Sequence, residues 1–416
     1  MPQKVIIIGG GFAGLQLVEK LDPSLFDILL IDRINHHQFQ PLFYQVAACQ
    51  LEPASISFPL RHIFKRKKNV QIRLTEVKEI IPQEKLIKTD IGEFEYDILV
   101  IATGCQSNFF GNKEIQQHAL TLKTTYDAIQ IRNHVLLNFE RLISAEEYEK
   151  ESLLNMAIVG AGPTGVELAG AFAEIKKHIL PGDYPGIDLS RFTIYLIEGS
   201  NDTLNSMSEK AKKTSRKYLE DMGVTVITGV FVSSYDGHLL TLNNGVTIKT
   251  QTVIWAAGVI GNLISGLPKE CIATGNRLWV NRQNQLLHHE DIYVMGDMAM
   301  MQTPLYPKGH PQVANVAIHQ AKLLARNLKA KMQGKSLKEY EYKNLGAMAT
   351  IGKNKAVVDL PFIQFTGYFA WLTWMFVHLM LILSVRNKLI IFINWAWTYI
   401  TKDTSLRLIL KDKKEG

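Results

Sequence analysis

Six glycines carry the first chemical signal in this chain. They form Gly9-x-Gly11-x-x-Gly14 and Gly160-x-Gly162-x-x-Gly165, two turns of one design about 150 residues apart. In such a turn the first glycine makes the tight bend and the second lets backbone approach a pyrophosphate. The third lets the following helix pack on its strand. The helix N-terminus offers free N–H groups and the positive end of its dipole to an anion. An acid at the end of the next strand completes the chemistry by accepting from ribose hydroxyls. Asp32 stands 18 residues past Gly14, near the usual spacing of about 20. Glu198 stands 33 residues past Gly165, and the turn-rich stretch Leu180–Arg191 absorbs the surplus. No arginine follows Glu198 through Gly199, Ser200, Asn201 and Asp202. A carboxylate there repels a 2′-phosphate, so NADH is favoured over NADPH. Two nucleotide sites imply a flavin held at the first turn and a nicotinamide visiting the second.

The elements around these turns follow from hydrophobic patterning. Apolar strands at Val5–Ile8 and Met156–Val159 precede the turns, and amphipathic helices follow, to about Leu21 and about Lys177. The strand "YDILVIATGC" ends at Ala102-Thr103-Gly104, "TVIWAAGV" ends near Gly258, and "DIYVMGDMA" ends at Gly296-Asp297 before a helix near Asn315. The fold class expected is α/β, with two Rossmann-like dinucleotide-binding domains. An FAD domain (1–150 and 256–340) is split by an NADH domain (151–255), and 341–416 forms a C-terminal anchoring region.

Composition narrows the classes. With 47% apolar residues the chain has ample core. Three cysteines, Cys49, Cys105 and Cys271, make no CxxC or metal-ligand spacing, which argues against a disulfide framework and a metal site. The net charge is +7, yet no nucleic-acid-binding signature accompanies it. The chain enters its first strand with no secretory leader in front.

The order of these motifs resembles the two-dinucleotide-domain flavoproteins that include glutathione reductase. Three further stretches sharpen it: "LIDRINHHQFQPLFYQVA", "WAAG" and "FAWLTWMFVHLMLILSVRNKLIIFINWAWTYIT". Together they are similar to the type II NADH:quinone oxidoreductases. That resemblance implies non-covalent, tightly bound FAD, NADH as substrate, hydride transfer to flavin N5, two-electron reduction of a membrane quinone and no proton pumping. FAD contacts are then Gly9, Gly11, Gly14, Asp32, Gln45, Ala102, Thr103, Gly104, Gly296 and Asp297. NADH contacts are Gly160, Gly162, Gly165, Glu198 and Gly258. Quinone contacts are Gln45 together with Asn315, His319 and Gln320, the last three in a run (Ala314–Gln320) where the family usually carries AQxAxQQ. Asn315 and His319 depart from that pattern. Glu167, His319 and Gln320 are the catalytic candidates. Glu167 has two readings, complementing the helix dipole or handling a proton. His319 likewise reads as a quinone-side proton donor or as a satisfied helix histidine.

Leu360–Val385 holds 26 residues without a formal charge, long enough to span a bilayer. Its scattered polar residues and its Trp and Tyr instead suit an interface. Arg386-Asn387-Lys388 reads as an interruption, and Leu389–Ile400 as a second short helix. From Arg386 onward seven Lys/Arg oppose three acids, which fits an anionic membrane surface. Interfacial helices, a single crossing and a buried dimer face are the three readings. The family also implies a homodimer on the cytoplasmic face of the cell inner membrane. Two other functions compete: a sulfide:quinone oxidoreductase, which relies on a cysteine relay, and a slow-turnover NADH sensor.

Overall fold

The computed structural model describes residues 2–404 and 406–410. Lys411, Lys413 and Lys414, counted in the basic tail, lie outside the described residues. The chain divides into two compact units, one of Met1–Gln38, Phe58–Gln106 and Val259–Lys343, the other of Phe39–Ser57, Ser107–Gly258 and Asn344–Gly416.

The first unit is built on five parallel strands in the order Ile292–Val294, Ile98–Ile101, Gln3–Ile8, Phe26–Asp32, Val70–Leu74. The central strand is apolar on both faces because both are covered. Val5 and Ile7 join one buried cluster with Leu17 and Leu324, while Ile6 and Ile8 join another with Leu278 and Met298. The helices Phe12–Lys20 and Ala314–Met332 pack on each other beneath the Val5 face.

The second unit repeats the plan. Its parallel order is Leu120–Thr121, Thr252–Trp255, Asn155–Val159, Thr193–Glu198, Val224–Thr228. The helix Pro163–His178 follows the glycine turn and packs on the strand Ala347–Gly352. This contact needs Gly170, where a Cβ would stand 1.7 Å from the carbonyl oxygen of Ile351.

The tail differs from its expected form. Leu360 ends the strand Lys355–Leu360, and Ile363–Thr366 pairs back onto it. An uncharged run does not by itself separate strand from helix. Gly367, at φ +85, begins the helix Tyr368–Leu381. The break falls at Ile382–Ser384, and Arg386-Asn387-Lys388 lies inside the helix Val385–Thr401, which Ser384 caps. Asn387 is buried and donates to the carbonyls of Ala54 (3.2 Å) and Ser55 (2.9 Å). The triplet therefore docks the second helix rather than interrupting it. Among the described residues no helix is long and apolar enough to cross a membrane.

Candidate active site

The two glycine turns have matching geometry. Gly9 and Gly160 adopt φ of +107 and +103, closed to other residues by their neighbours. A Cβ on Gly14 would sit 1.8 Å from the Gly9 oxygen, and one on Gly165 would sit 1.8 Å from the Gly160 oxygen. Gly11 and Gly162 have nothing within 4 Å of a would-be Cβ, which leaves open space beside each helix start. These cradles fit the pyrophosphate of a dinucleotide.

Each acid also braces its turn. Asp32 accepts from the Gly10 N–H at 2.5 Å and from Ile34 N–H at 2.9 Å. Burial pushes its carboxyl up, against the pull of the Gly10 N–H. Glu198 accepts from Ala161 N–H at 2.6 Å, and from the Ser200 N–H at 2.8 Å and hydroxyl at 2.9 Å.

In the first unit, Thr103 and Gly104 are tied to Asn262. The Thr103 hydroxyl donates to the Asn262 carbonyl and the Asn262 amide donates to the Thr103 carbonyl, both at 2.9 Å. Asn262 N–H donates to the Gly104 carbonyl at 3.1 Å, and Ala102 is buried beside them. Asp297 receives the Cys105 thiol on Oδ2 at 2.8 Å, while its carbonyl accepts from Gln312 at 3.1 Å. Gly296 N–H donates to Oε1 of Gln320 at 2.8 Å. Gln320 is fully buried and its Nε2 has no hydrogen-bond partner. It thus lies under the Gly296–Asp297 turn. Asn315 and His319 are half-buried on the first two turns of the Ala314–Met332 helix. Burial lowers the His319 pKa, with Lys322 adding to the effect.

In the second unit, Gly258 (φ +75) accepts from Asn108 N–H at 3.3 Å. A cavity of about 90 Å³ opens beside Glu167, walled by Tyr44, Gln45, Thr350, Trp374 and Trp395. Glu167 is buried and accepts from Thr350 N–H at 3.4 Å. Burial pushes its carboxyl up to about 8, the Thr350 N–H opposing, so burial favours the protonated form. Gln45 donates to the Tyr44 hydroxyl at 3.0 Å and accepts from the Trp395 indole at 2.8 Å. Trp374 and Trp395 stand with ring centroids 6.1 Å apart and planes tilted by 45°. The arrangement offers a cavity with aromatic walls and, on one side, an acid whose protonated form burial favours.

Sequence reasoning did not single out Thr350, Trp374, Trp395 or Glu174 as cavity residues. Glu174 had a signal: it stands seven residues past Glu167, two turns along the same helix face. Its half-buried side chain accepts from Lys353 N–H.

Residues 3–321 match the pyridine nucleotide-disulphide oxidoreductase family, and residues 344–402 match the NDH2 C-terminal domain. The type II NADH:quinone oxidoreductase Ndh of Mycobacterium tuberculosis is 31% identical over 96% of this chain and 88% of its own. The NDH2 of Plasmodium falciparum, solved in complex with NADH, superposes with a TM-score of 0.90 at 22% identity, covering 99% of this chain and 100% of that one. The sulfide:quinone oxidoreductase of Aquifex aeolicus is more distant, with a TM-score of 0.71 at 20% identity over 93% and 92% of the two chains. The doubled cradle and near-full-length similarity have one reading: the chain belongs to the type II NADH:quinone oxidoreductases, within the pyridine nucleotide-disulphide oxidoreductase family.

Proposed function

We infer that the protein oxidises NADH and reduces a quinone as an FAD enzyme. The observation that carries this reading is the repeated cradle, an open second glycine above a braced acid, present once in each unit. FAD, when bound, supplies the hydride-accepting and two-electron-donating chemistry.

The chain's residues bind and orient. Gly9, Gly11, Gly14 and Asp32 hold one dinucleotide, with Ala102, Thr103, Gly104, Gly296 and Asp297 toward its flavin end. Gly160, Gly162, Gly165 and Glu198 hold NADH, with Gly258 at the far end of its strand. The Glu198 carboxylate takes the adenosine ribose hydroxyls and repels a 2′-phosphate. Glu167 keeps a proton at Oε in a water-poor cavity, placed for delivery to a quinone oxygen. Gln45 orients the head group from the cavity wall. Asn315 and His319 are quinone-side groups of their own unit, and Gln320 fixes the turn that aims Asp297. On this reading the FAD domain comprises 1–150 and 256–340, the NADH domain 151–255 and the anchoring region 341–416.

The anchor lies flat on the bilayer. Phe369, Leu372, Phe376 and Met380 are exposed at helical spacing on one helix, and Val385, Leu389, Ile393 and Ile400 on the next. Exposed apolar stripes of that kind bury shallowly in an interface. We place the enzyme, as a homodimer, on the cytoplasmic face of the cell inner membrane. Vesicle flotation of the full chain, repeated with Phe376→Asp and Ile393→Asp together, tests the anchor: both proteins floating equally would refute it.

Stopped-flow flavin absorbance of the detergent-purified protein tests the activity. NADH should bleach the flavin rapidly, NADPH and sulfide should do so slowly or not at all, and a quinone should restore it. Slow restoration would favour the NADH-sensor reading.

A further inference from the structure

The residue that follows Glu198 is Gly199, and it lies outside the left-handed region. Its need is therefore for space. A Cβ there would stand 2.3 Å from Cε1 of Phe231, 2.8 Å from Cδ1 and 3.0 Å from Cζ. One edge of the Phe231 ring thus occupies the place into which any side chain at 199 would project.

The two segments are joined through their backbones. The strands Thr193–Glu198 and Val224–Thr228 run side by side, with Glu198 opposite Thr228. Just beyond them, Gly229 N–H donates to the Ser200 carbonyl at 2.9 Å and Val230 N–H to the Glu198 carbonyl at 3.2 Å. Asn243 then clasps Phe231 from both sides. Phe231 N–H donates to Oδ1 of Asn243 at 3.0 Å, and the Phe231 carbonyl accepts from Asn243 N–H at 2.9 Å. Val230 and Val232 pack on the core of the unit, whereas Phe231 is 63% exposed. A single exposed aromatic needs no explanation. This one is held in place beside the acid assigned to the adenosine ribose, and its exposure leaves a ring face open.

The base of a dinucleotide hangs from the same ribose whose hydroxyls Glu198 takes. A phenyl ring has no hydrogen-bonding group, so what it offers a ligand is apolar area and a π-face. Every nucleobase presents a matching face. A ring fixed before the ligand arrives loses little freedom on binding.

We propose that Phe231 is the adenine platform of the NADH site, stacking on the base while Glu198 holds its ribose. This rests on the reading of the second glycine cradle as the NADH site. The nicotinamide is at the other end of the dinucleotide, so Phe231 acts on affinity and leaves hydride transfer alone. The same ring edge bars an arginine from position 199, next to the acid, where a guanidinium would receive a 2′-phosphate.

Stopped-flow flavin bleaching of the holoenzyme tests this with two donors, NADH and reduced nicotinamide mononucleotide, which lacks the adenosine half. In Phe231→Ala the NADH concentration giving half the maximal rate should rise roughly 5- to 100-fold, with the maximal rate unchanged. The mononucleotide should bleach both proteins alike, and Phe231→Tyr should restore NADH affinity. An unchanged NADH dependence in Phe231→Ala, an equal loss with both donors, or a tyrosine variant as weak as alanine overturns the proposal. Each of those outcomes leaves wild type bleached by NADH; failure of the NADH-site reading itself would leave wild type unbleached. Should Phe231→Ala not fold, a crystal of wild type with NADH decides. Adenine in ring contact with Phe231 supports the platform, and adenine away from it overturns it.

Discussion

Trp395 donates its indole N–H to Oε1 of Gln45 over 2.8 Å, across a sequence gap of 350 residues. Both side chains are buried. The bond joins the helix Val385–Thr401 to the short helix Phe43–Ala47, and it turns the Gln45 amide so that Nε2 points to Tyr44. The outer helix, with its exposed apolar stripe, therefore sets the angle of a cavity wall. Trp395→Phe removes the donor and leaves a buried acceptor unsatisfied, at a cost of about 1–3 kcal/mol. The expected result is a quinone KM raised roughly 5- to 100-fold while NADH bleaches the flavin at the wild-type rate. Steady-state quinone titration beside stopped-flow reduction checks it.

Cys105 and Asp297 stand in a similar relation inside the first unit. The thiol donates to Oδ2 of the carboxylate expected to face the flavin. Cys105→Ala frees that carboxylate to turn away, and Cys105→Ser keeps a donor of nearly the same reach. FAD release on dilution, followed by flavin fluorescence, should show affinity weakened on the order of 5-fold in the alanine variant, equivalent to about 1 kcal/mol. The serine variant should stay near wild type. Equal loss in both would mean that the bond does not position Asp297.

How far these features could be read from sequence depended on how local they are. Strand, glycine turn, helix and closing acid run from Val5 to Asp32 at the first cradle and from Met156 to Glu198 at the second, so Asp32 was visible from its spacing and Glu198 from its place at a strand end once the Leu180–Arg191 insertion was allowed for. The double-faced apolar strands likewise announced sheets covered on both sides. The cavity at Glu167 was not legible. Tyr44, Thr350, Trp374 and Trp395 meet there from four distant places, and none of them lies in a spaced motif. The tail failed differently. Leu360–Thr366 has the apolar character of the helix that follows, and only the pairing with Lys355–Leu360 and the positive φ at Gly367 make it a strand. Gln320 was recognised as important from its motif, but its place beneath Gly296 depends on a turn 24 residues away.

Gly170 has a conformation any residue adopts, so its role is spatial. A methyl group would collide with the backbone of Ile351, which cannot rotate aside as a side chain would. Gly170→Ala must push the Pro163–His178 helix off the Ala347–Gly352 strand. Overpacking of this kind costs about 1–3 kcal/mol. The expected outcome is a lower unfolding midpoint together with slower quinone reduction, since Thr350 and Glu167 face each other across the displaced contact. Unchanged activity at lower stability would show that the cavity tolerates the shift.

Glu167 makes the sharpest demand on pH. Its folded pKa, about 8, exceeds the ordinary 4.5 because burial disfavours the carboxylate. The folded protein therefore binds this proton more tightly than the unfolded chain does. Its contribution to stability is complete below pH 4.5, declines as the pH rises, and is gone above about 8. Glu167→Gln keeps the shape and has no proton to lose. Relative to wild type the variant should gain stability steadily between pH 5 and 8, toward an upper bound on the order of 5 kcal/mol, with no further gain beyond. Denaturant unfolding at several pH values measures this. The same proton appears in the chemistry: kcat/KM for quinone in wild type should fall as pH rises through about 8, and Glu167→Gln should lack that limb and run slower throughout. A limb that survives in Glu167→Gln would assign the proton to another group, while a stability profile parallel to wild type would show that Glu167 is ionised in the folded protein.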